Sequence, residues 1–192
     1  MNNSKTTIET PVNLLELLAI AAVILTAYAF QLFGNEIPCP LCLLQRLGFL
    51  SMAFGMLLNL QLGSRPIHYG LTILSALYTM IVAGRQILLH IAPGTGSYGS
   101  ALFGIHFYTW SFIMAALFIL LNVIILVFDH KLERIKIRRT KSLSAISHLF
   151  MALVILLTAS NIVTTFLECG FKQCPSDPKH YIVKKDQSPG HI

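Results

Sequence analysis

Four cysteines are the residues of this sequence best suited to covalent chemistry. They form two close pairs, Cys39 with Cys42 and Cys169 with Cys174. The first pair has the Cys-x-x-Cys spacing, which at a helix N-terminus lets the helix dipole and unpaired amides stabilise a thiolate. We expect such a helix to begin beside Pro40, with Cys42 in its first turn. The even number of cysteines makes the two pairs candidates for redox-active disulfides.

Two other uses of these thiols stay open on spacing alone. The second pair lies in a short polar loop that ends at Pro175, where a disulfide could be a static cross-link that pins the tail. All four thiolates together could instead bind zinc, because structural zinc sites use pairs of cysteines two to four residues apart. The charge distribution along the chain assigns all four cysteines to the outer side of a membrane, an oxidising space that disfavours zinc, so we predict no metal site.

Arg46 is the charged residue nearest to the first pair. It follows Cys42 by four residues, which places both side chains on the same face of the expected helix. A charge in a membrane helix costs about 2.5–3.5 kcal/mol at the centre and less near the surface. Arg46 therefore either extends to the membrane surface or serves as a cation beside a thiolate or beside the carbonyl of a bound ligand.

The composition predicts that an integral membrane protein positions these residues. Hydrophobic residues make up 55% of the 192 residues and charged residues 11%, whereas globular domains average about 45–50% and about 25%. So few charges could not cover the surface of a soluble domain. A disordered chain is excluded as well, because disorder needs low hydrophobicity and high net charge.

Five apolar segments each have about the 20 residues that cross a hydrocarbon core of about 30 Å. They are apolar on all faces, as membrane-embedded helices are. The joints between most of them are short, which favours antiparallel packing. We predict an all-α integral membrane helical bundle of about five transmembrane helices. The segments run from Leu14 to Phe33, Leu41 to Leu62, Pro66 to His90, Ile105 to Phe128 and Ser144 to Leu167.

Charge distribution predicts the orientation of the bundle. The connection 129–143 carries six Lys and Arg residues against two acidic residues, whereas the loop 91–104 carries no charge. By the positive-inside rule, the basic connection is cytoplasmic. The N-terminus is then inside, the C-terminus is outside, and all four cysteines lie on the outer side. The same rule explains the basic loop without nucleic acid, so we predict no nucleic-acid partner.

Three segments resemble one known family. Residues 39–46, which read Cys-Pro-Leu-Cys-Leu-Leu-Gln-Arg, resemble the first active-site segment of the disulfide bond formation protein B family. Residues 84–94 and 104–110 are similar to its third and fourth helices, so the resemblance covers about residues 14–128. It implies a bacterial inner-membrane thiol oxidase that recharges a periplasmic, DsbA-like thioredoxin-fold oxidant. The electrons would pass to a quinone, either ubiquinone or menaquinone.

The resemblance also implies roles for individual residues. Cys42 matches the thiol that contacts the quinone ring, and Cys39 matches the thiol that exchanges with the second pair. Arg46 matches an arginine that supports quinone binding. His90 matches a quinone-site histidine, and His106 could substitute for it. Either histidine could instead be an interfacial side chain with a polar tip.

The second pair departs from the family pattern. In the best-known members it lies between the third and fourth spans, whereas here it follows a fifth span. By order along the chain, Cys169 would meet the partner and Cys174 would exchange with Cys39. The implied organisation is a cytoplasmic N-terminus at 1–13, a four-helix quinone-oxidoreductase bundle at 14–128, a basic cytoplasmic loop at 129–143, a fifth transmembrane helix at 144–167 and a periplasmic tail at 168–192.

Three other functions compete with this interpretation. A quinone-epoxide-reductase-like enzyme also combines a Cys-x-x-Cys at a helix end with a cysteine pair in a loop. A membrane scaffold would use both pairs as structural disulfides, which resist reduction. A transporter of reducing equivalents would need cysteines near the midplane of its spans, and none of the four lies there.

Overall fold

The computed structural model contains five long helices and one short hairpin. It describes residues 9–92, 94, 96–128, 141–172, 174 and 181. Strands β1 and β2 form an antiparallel pair in which Ala101 lies opposite His106. The elements, in chain order, are α1 (Glu9–Phe33), α2 (Pro40–Leu62), α3 (Pro66–His90), β1 (Ala101–Leu102), β2 (Ile105–His106), α4 (Phe107–Phe128) and α5 (Lys141–Cys169).

The predicted all-α bundle is confirmed, because all five helices are long and apolar enough to cross a membrane. Two helices differ by a few residues at their ends from the approximate bounds predicted for them. Helix α4 begins at Phe107 because the two preceding residues pair with β1. Helix α5 extends to Cys169, so the second cysteine pair begins inside the helix. The orientation stays a prediction, and residues 129–140 of the basic connection lie outside the described residues.

Helix α2 is the centre of the bundle. It packs against α1, α3 and α5, and α4 packs against α3. The α2 side chains Met52 and Met56 are fully buried, as are Ile24 of α1 and Tyr69 of α3. The helix that begins with the first cysteine pair is therefore held on several sides, which limits how far that pair can move.

Two glycines let α2 and α3 approach closely. Gly48 faces Thr79, and Gly55 faces Thr72, and a Cβ added at either glycine would overlap the facing threonine hydroxyl. The two glycines are seven residues apart in α2, and so are the two threonines in α3. The later glycine faces the earlier threonine, so α2 and α3 are antiparallel. Small residues commonly permit such close approach in membrane bundles.

A polar contact joins α1 to α4 inside the apolar bundle. Asn122 donates from Nδ2 to both carboxylate oxygens of Glu16, at 3.2 Å each. Both side chains are buried. Polar residues in membrane helices are tolerated where they face the bundle interior and pair with one another, so this contact fixes α4 against α1.

Helix α5 runs antiparallel to α2. Gln61, near the end of α2, contacts the Met151 sulfur at 3.8 Å, and Asn161 Nδ2 lies 3.5 Å from the Leu43 carbonyl near the start of α2. The beginning of α2 and the end of α5 therefore lie at the same end of the bundle. The first cysteine pair and Cys169 share that end.

Candidate active site

The first cysteine pair forms a disulfide at the beginning of α2. Cys39 is the N-cap residue, and its Sγ accepts a hydrogen bond from the Cys42 backbone N–H at 3.1 Å. Pro40 is the first helical residue, so Cys42 lies in the first turn, as the sequence predicted. The unpaired amides and positive dipole end of α2 therefore point at the sulfur atoms, an arrangement that stabilises a thiolate.

Gln86 of α3 adds a second hydrogen-bond donor to this disulfide. Its Nε2 lies 3.3 Å from Cys39 Sγ and 3.7 Å from Cys42 Sγ. Gln45 donates to Gln86 Oε1 at 2.7 Å, which turns the amide nitrogen of Gln86 toward the sulfur atoms. Gln86 lies in a segment that resembles the family, but no pattern in the sequence singled it out, since an amide side chain in a membrane span has many structural uses.

Arg46 is held inside the bundle by α1. It donates from Nη1 to Gln31 Oε1 at 2.6 Å and from Nη2 to the Ala27 carbonyl at 3.2 Å. Its Cζ lies 4.6 Å from the centre of the Tyr28 ring, a cation–π distance. The side chain is only 7% exposed. Arg46 therefore packs inside the bundle, and its role as a cation beside a thiolate or a ligand carbonyl stays a prediction.

A cavity of about 370 Å³ opens beside the first pair. Cys42, Arg46 and Gln86 line it, whereas Cys39 does not. Ligand sites for small molecules combine such apolar walls with a few placed polar groups. The aromatic residues that line the cavity are Phe30, Phe49, Tyr98, Phe103, Phe107, Tyr108 and Trp110.

The hairpin closes one side of this cavity. Phe103 and Gly104 both have positive φ angles, 54° and 79°, as a two-residue type I′ turn requires. Trp110 of α4 donates from Nε1 to the Leu102 carbonyl at 3.0 Å and fixes the hairpin. Phe103 is therefore presented to the cavity by a turn that is bonded to α4.

The loop before the hairpin is bonded to the segment that leads into α2. Tyr98 donates from its hydroxyl to the Ile37 carbonyl at 2.7 Å. Ser100 donates from its backbone N–H to Glu36 Oε2 at 3.3 Å, and its hydroxyl also contacts the Glu36 carboxylate. These contacts hold the two loops together beside the first cysteine pair.

The two candidate histidines both stack on Tyr108. The ring centres of His90 and His106 lie 5.6 Å and 5.3 Å from that of Tyr108. His90 Nδ1 also lies 3.2 Å from the Gly96 carbonyl. Tyr108 lines the cavity and neither histidine does. A quinone-site role for either histidine stays a prediction, and His106 lies on β2 rather than in the fourth span.

The second pair forms a disulfide at the end of α5. Cys169 is the last helical residue and is 4% exposed, whereas Cys174 is half-buried. Accessibility therefore favours Cys174 as the sulfur that an external thiol reaches, which is the reverse of the order expected from the sequence. Within the described ranges, no group of three or more His, Cys, Asp and Glu residues is placed to hold a metal ion.

Two further residues near Arg46 were missed in the sequence. Glu168 of α5 is fully buried, and its carboxylate oxygens have no hydrogen-bond partner among the residues that the structure describes. It interacts electrostatically with Arg46. Tyr181 accepts a hydrogen bond from Gln31 Nε2 at 3.1 Å. No local pattern could reveal these contacts, because they join α5 and the tail to α1 and α2.

Comparison with known proteins confirms the family resemblance over the first part of the chain. The model of the family "Disulfide bond formation protein DsbB" matches residues 9–98. The disulfide bond formation protein B of Nitrosomonas eutropha is 41% identical over 80 residues, covering 40% of this chain and 49% of that protein. That of Ralstonia nicotianae is 39% identical over 80 residues, covering 40% and 50%.

These matches leave part of the molecule without a counterpart. The matched region of each relative is about half of its length. No solved structure matches the chain. The family match contains the first cysteine pair, Arg46 and Gln86, whereas α4, α5 and the second pair lie beyond it.

Proposed function

We propose that this chain is a thiol oxidase of the bacterial inner membrane. It takes electrons from a periplasmic thioredoxin-fold dithiol and passes them through its two cysteine pairs to a quinone. The observation that carries the proposal is a disulfide at a helix N-terminus whose Cys42 lines an apolar cavity beside buried Arg46. Similarity to relatives named for disulfide bond formation supports it.

The cavity beside Cys42 fits a quinone ring. Its volume of about 370 Å³ lies at the small end of the usual range for ligand sites, and aromatic side chains form much of its wall. Arg46 and Gln86 supply donors for a ring carbonyl. A bound quinone would supply an acceptor for two electrons and two protons.

The second pair receives the electrons first. The thiolate of the partner attacks Cys174, the more accessible sulfur, and the bond to Cys169 breaks. The second thiol of the partner then attacks the partner sulfur of this mixed disulfide. This attack releases Cys174, and the partner leaves oxidised. The pair now carries two electrons and two protons as a dithiol.

The same exchange transfers the electron pair to the first pair. The Cys169 thiolate attacks Cys39, and Cys42 leaves as a thiolate that the α2 N-terminus and Gln86 stabilise. Cys174 then attacks Cys169, which releases Cys39 and restores the second disulfide. Cys39 and Cys42 hold the electron pair as a dithiol.

The first pair is reoxidised to its disulfide beside the cavity. Cys42 lines the cavity, where Arg46 stabilises negative charge as it develops. Cys39 closes the disulfide with Cys42 as two electrons and two protons leave. Each turnover oxidises one partner dithiol.

The test is quinone reduction by the purified chain in detergent, with ubiquinone and a reduced thioredoxin-fold partner. We expect steady turnover by the unaltered chain and none by the Cys42→Ser variant, which retains fold but has no thiolate at the cavity. Full activity of Cys42→Ser, or resistance of both disulfides to the partner, would contradict the proposal. The second result would favour a scaffold with structural disulfides.

A further inference from the structure

We propose that Tyr181 is a positioning residue for Arg46 and acts through Gln31. Tyr181, which follows the second cysteine pair in the chain, would then complete the site of the first pair. This inference rests on the proposed function. It concerns residues beyond the part of the chain that the family model matches.

A continuous chain of hydrogen bonds joins Tyr181 to Arg46. The amide of Gln31 accepts from Arg46 Nη1 through Oε1 at 2.6 Å and donates through Nε2 to the Tyr181 hydroxyl at 3.1 Å. Because Oε1 and Nε2 of Gln31 are both hydrogen-bonded, the Gln31 amide is held in one orientation. If the bond to Tyr181 is lost, Gln31 can rotate, and Arg46 loses a fixed acceptor for its guanidinium.

Arg46 depends on such acceptors because its site is buried. Besides Gln31, it donates to the Ala27 carbonyl and lies over the Tyr28 ring. None of these three groups carries a full negative charge, so they orient the guanidinium through hydrogen-bond and ring geometry. A small rotation would change the direction in which Arg46 presents its remaining N–H groups to the cavity.

The fifth helix makes a second contribution to the same arginine. Glu168, next to Cys169, is fully buried without a hydrogen-bond partner among the described residues, and it interacts electrostatically with Arg46. Helix α5 thus buries a carboxylate whose charge interacts with that of Arg46, and Tyr181 supplies a hydroxyl to Gln31. The hydrogen bond at Gln31 and the buried carboxylate together favour a role for this end of the chain at the site.

The chain length agrees with the bond between Tyr181 and Gln31. Tyr181 follows Cys174 by seven residues, which span at most about 25 Å when extended. The disulfide keeps the Cα atoms of Cys169 and Cys174 4.5 Å apart. Tyr181 is therefore within reach of Gln31 while Cys174 stays at the end of the bundle where α2 begins.

The experiment compares Tyr181→Phe with the unaltered full chain in the quinone-reduction assay. Tyr181→Phe removes one hydroxyl, and we expect the KM for ubiquinone to rise about two- to tenfold, as loss of one neutral hydrogen bond implies. We expect kcat and the rate of disulfide exchange at the second pair to stay within about twofold of the unaltered values. Tyr78→Phe, an exposed tyrosine of α3, is the matched control and should change nothing.

A double-variant cycle tests the route through Gln31. Gln31→Met should raise the KM for ubiquinone similarly, and Tyr181→Phe should add nothing in that background. An unchanged KM in Tyr181→Phe, or additive effects of the two changes, would overturn the inference while leaving the proposed function intact. If Tyr181→Phe lowered both kcat and the rate of exchange at the second pair, the contact would be merely structural, and the inference would be overturned too. Absence of turnover in the unaltered chain would overturn both proposals.

Discussion

At the scale of single residues, the reactivity expected of the first cysteine pair comes from donors that converge on two sulfur atoms. The Cys42 backbone N–H and the Gln86 side chain approach from α2 and α3. Both donors stabilise negative charge on sulfur more than they stabilise neutral sulfur, since hydrogen bonds to charged groups are stronger. The backbone N–H bonds Cys39 Sγ and Gln86 reaches both sulfur atoms, so the site stabilises a thiolate at the first pair.

Replacing Gln86 by leucine tests this donor. We expect the reduced Gln86→Leu protein to react about tenfold more slowly with iodoacetamide at the first pair near neutral pH, because a hydrogen bond to the thiolate is lost. Alkylation followed by mass spectrometry measures the rate. Gln61→Leu, at the other end of α2, is the matched control, and an equal rate in Gln86→Leu and the unaltered chain would exclude this role for Gln86.

Replacing Arg46 by alanine tests the cation at the cavity. Arg46→Ala should raise the KM for ubiquinone at least tenfold, because a charged hydrogen-bond donor is worth about 1.5–3 kcal/mol. Exchange between the partner and the second pair should be unaffected. Arg65→Ala, an exposed arginine at the opposite end of α2, should retain normal kinetics. Equal KM values in the two variants would contradict the role proposed for Arg46.

Local spacing predicted some of these residues and could not predict others. The Cys-Pro-Leu-Cys motif predicted that Cys42 lies in the first turn, because proline and helix geometry act over a few residues. The burial of Arg46 against Gln31 is a contact between two helices, which no spacing within α2 contains. The stacking of both histidines on Tyr108 is likewise set by the hairpin and α4.

At the scale of elements, close approach of α2 and α3 places Gln86 against the first pair. Gly55 permits that approach, since an added Cβ would overlap the Thr72 hydroxyl. The start of α4 depends on a different feature. The turn at Phe103 and Gly104 pairs residues 105–106 with β1, whereas the apolar run alone suggested a longer helix.

Two glycine substitutions separate packing from helix propensity. Gly55→Ala should lower the melting temperature of the purified protein by several degrees, because overpacking typically costs about 1–3 kcal/mol. Gly70→Ala should leave it unchanged or raise it, since nothing lies within 4 Å of a Cβ there and alanine favours the helix. If Gly70→Ala lowered the melting temperature more than Gly55→Ala did, the close approach of α2 and α3 would not be what limits stability.

At the scale of the whole molecule, the antiparallel packing of α5 on α2 brings both cysteine pairs to one end of the bundle. The five membrane-length helices were predictable from composition and segment length, because burial in lipid constrains every residue of a span. The packing partner of α5 was not predictable, because apolar helices carry little sequence information about which neighbour they contact.

Labelling in intact cells tests the predicted orientation. Single cysteines are introduced as Phe171→Cys and Arg65→Cys, both at exposed positions, after the four native cysteines are replaced by serine. A membrane-impermeant maleimide should label Phe171→Cys in intact cells and Arg65→Cys only after lysis, since the positive-inside rule places the second position in the cytoplasm. The reverse labelling pattern would show that the bundle has the opposite orientation in the membrane.

The central claim is that electrons leave the second pair only through the first pair. The most direct measurement starts from the fully reduced protein without any partner, under anaerobic conditions, and adds excess ubiquinone. Alkylation and mass spectrometry then count the remaining thiols at Cys169 and Cys174. The relay predicts that these thiols disappear in the unaltered chain and persist in Cys42→Ser. Equal loss of these thiols in both proteins would contradict it.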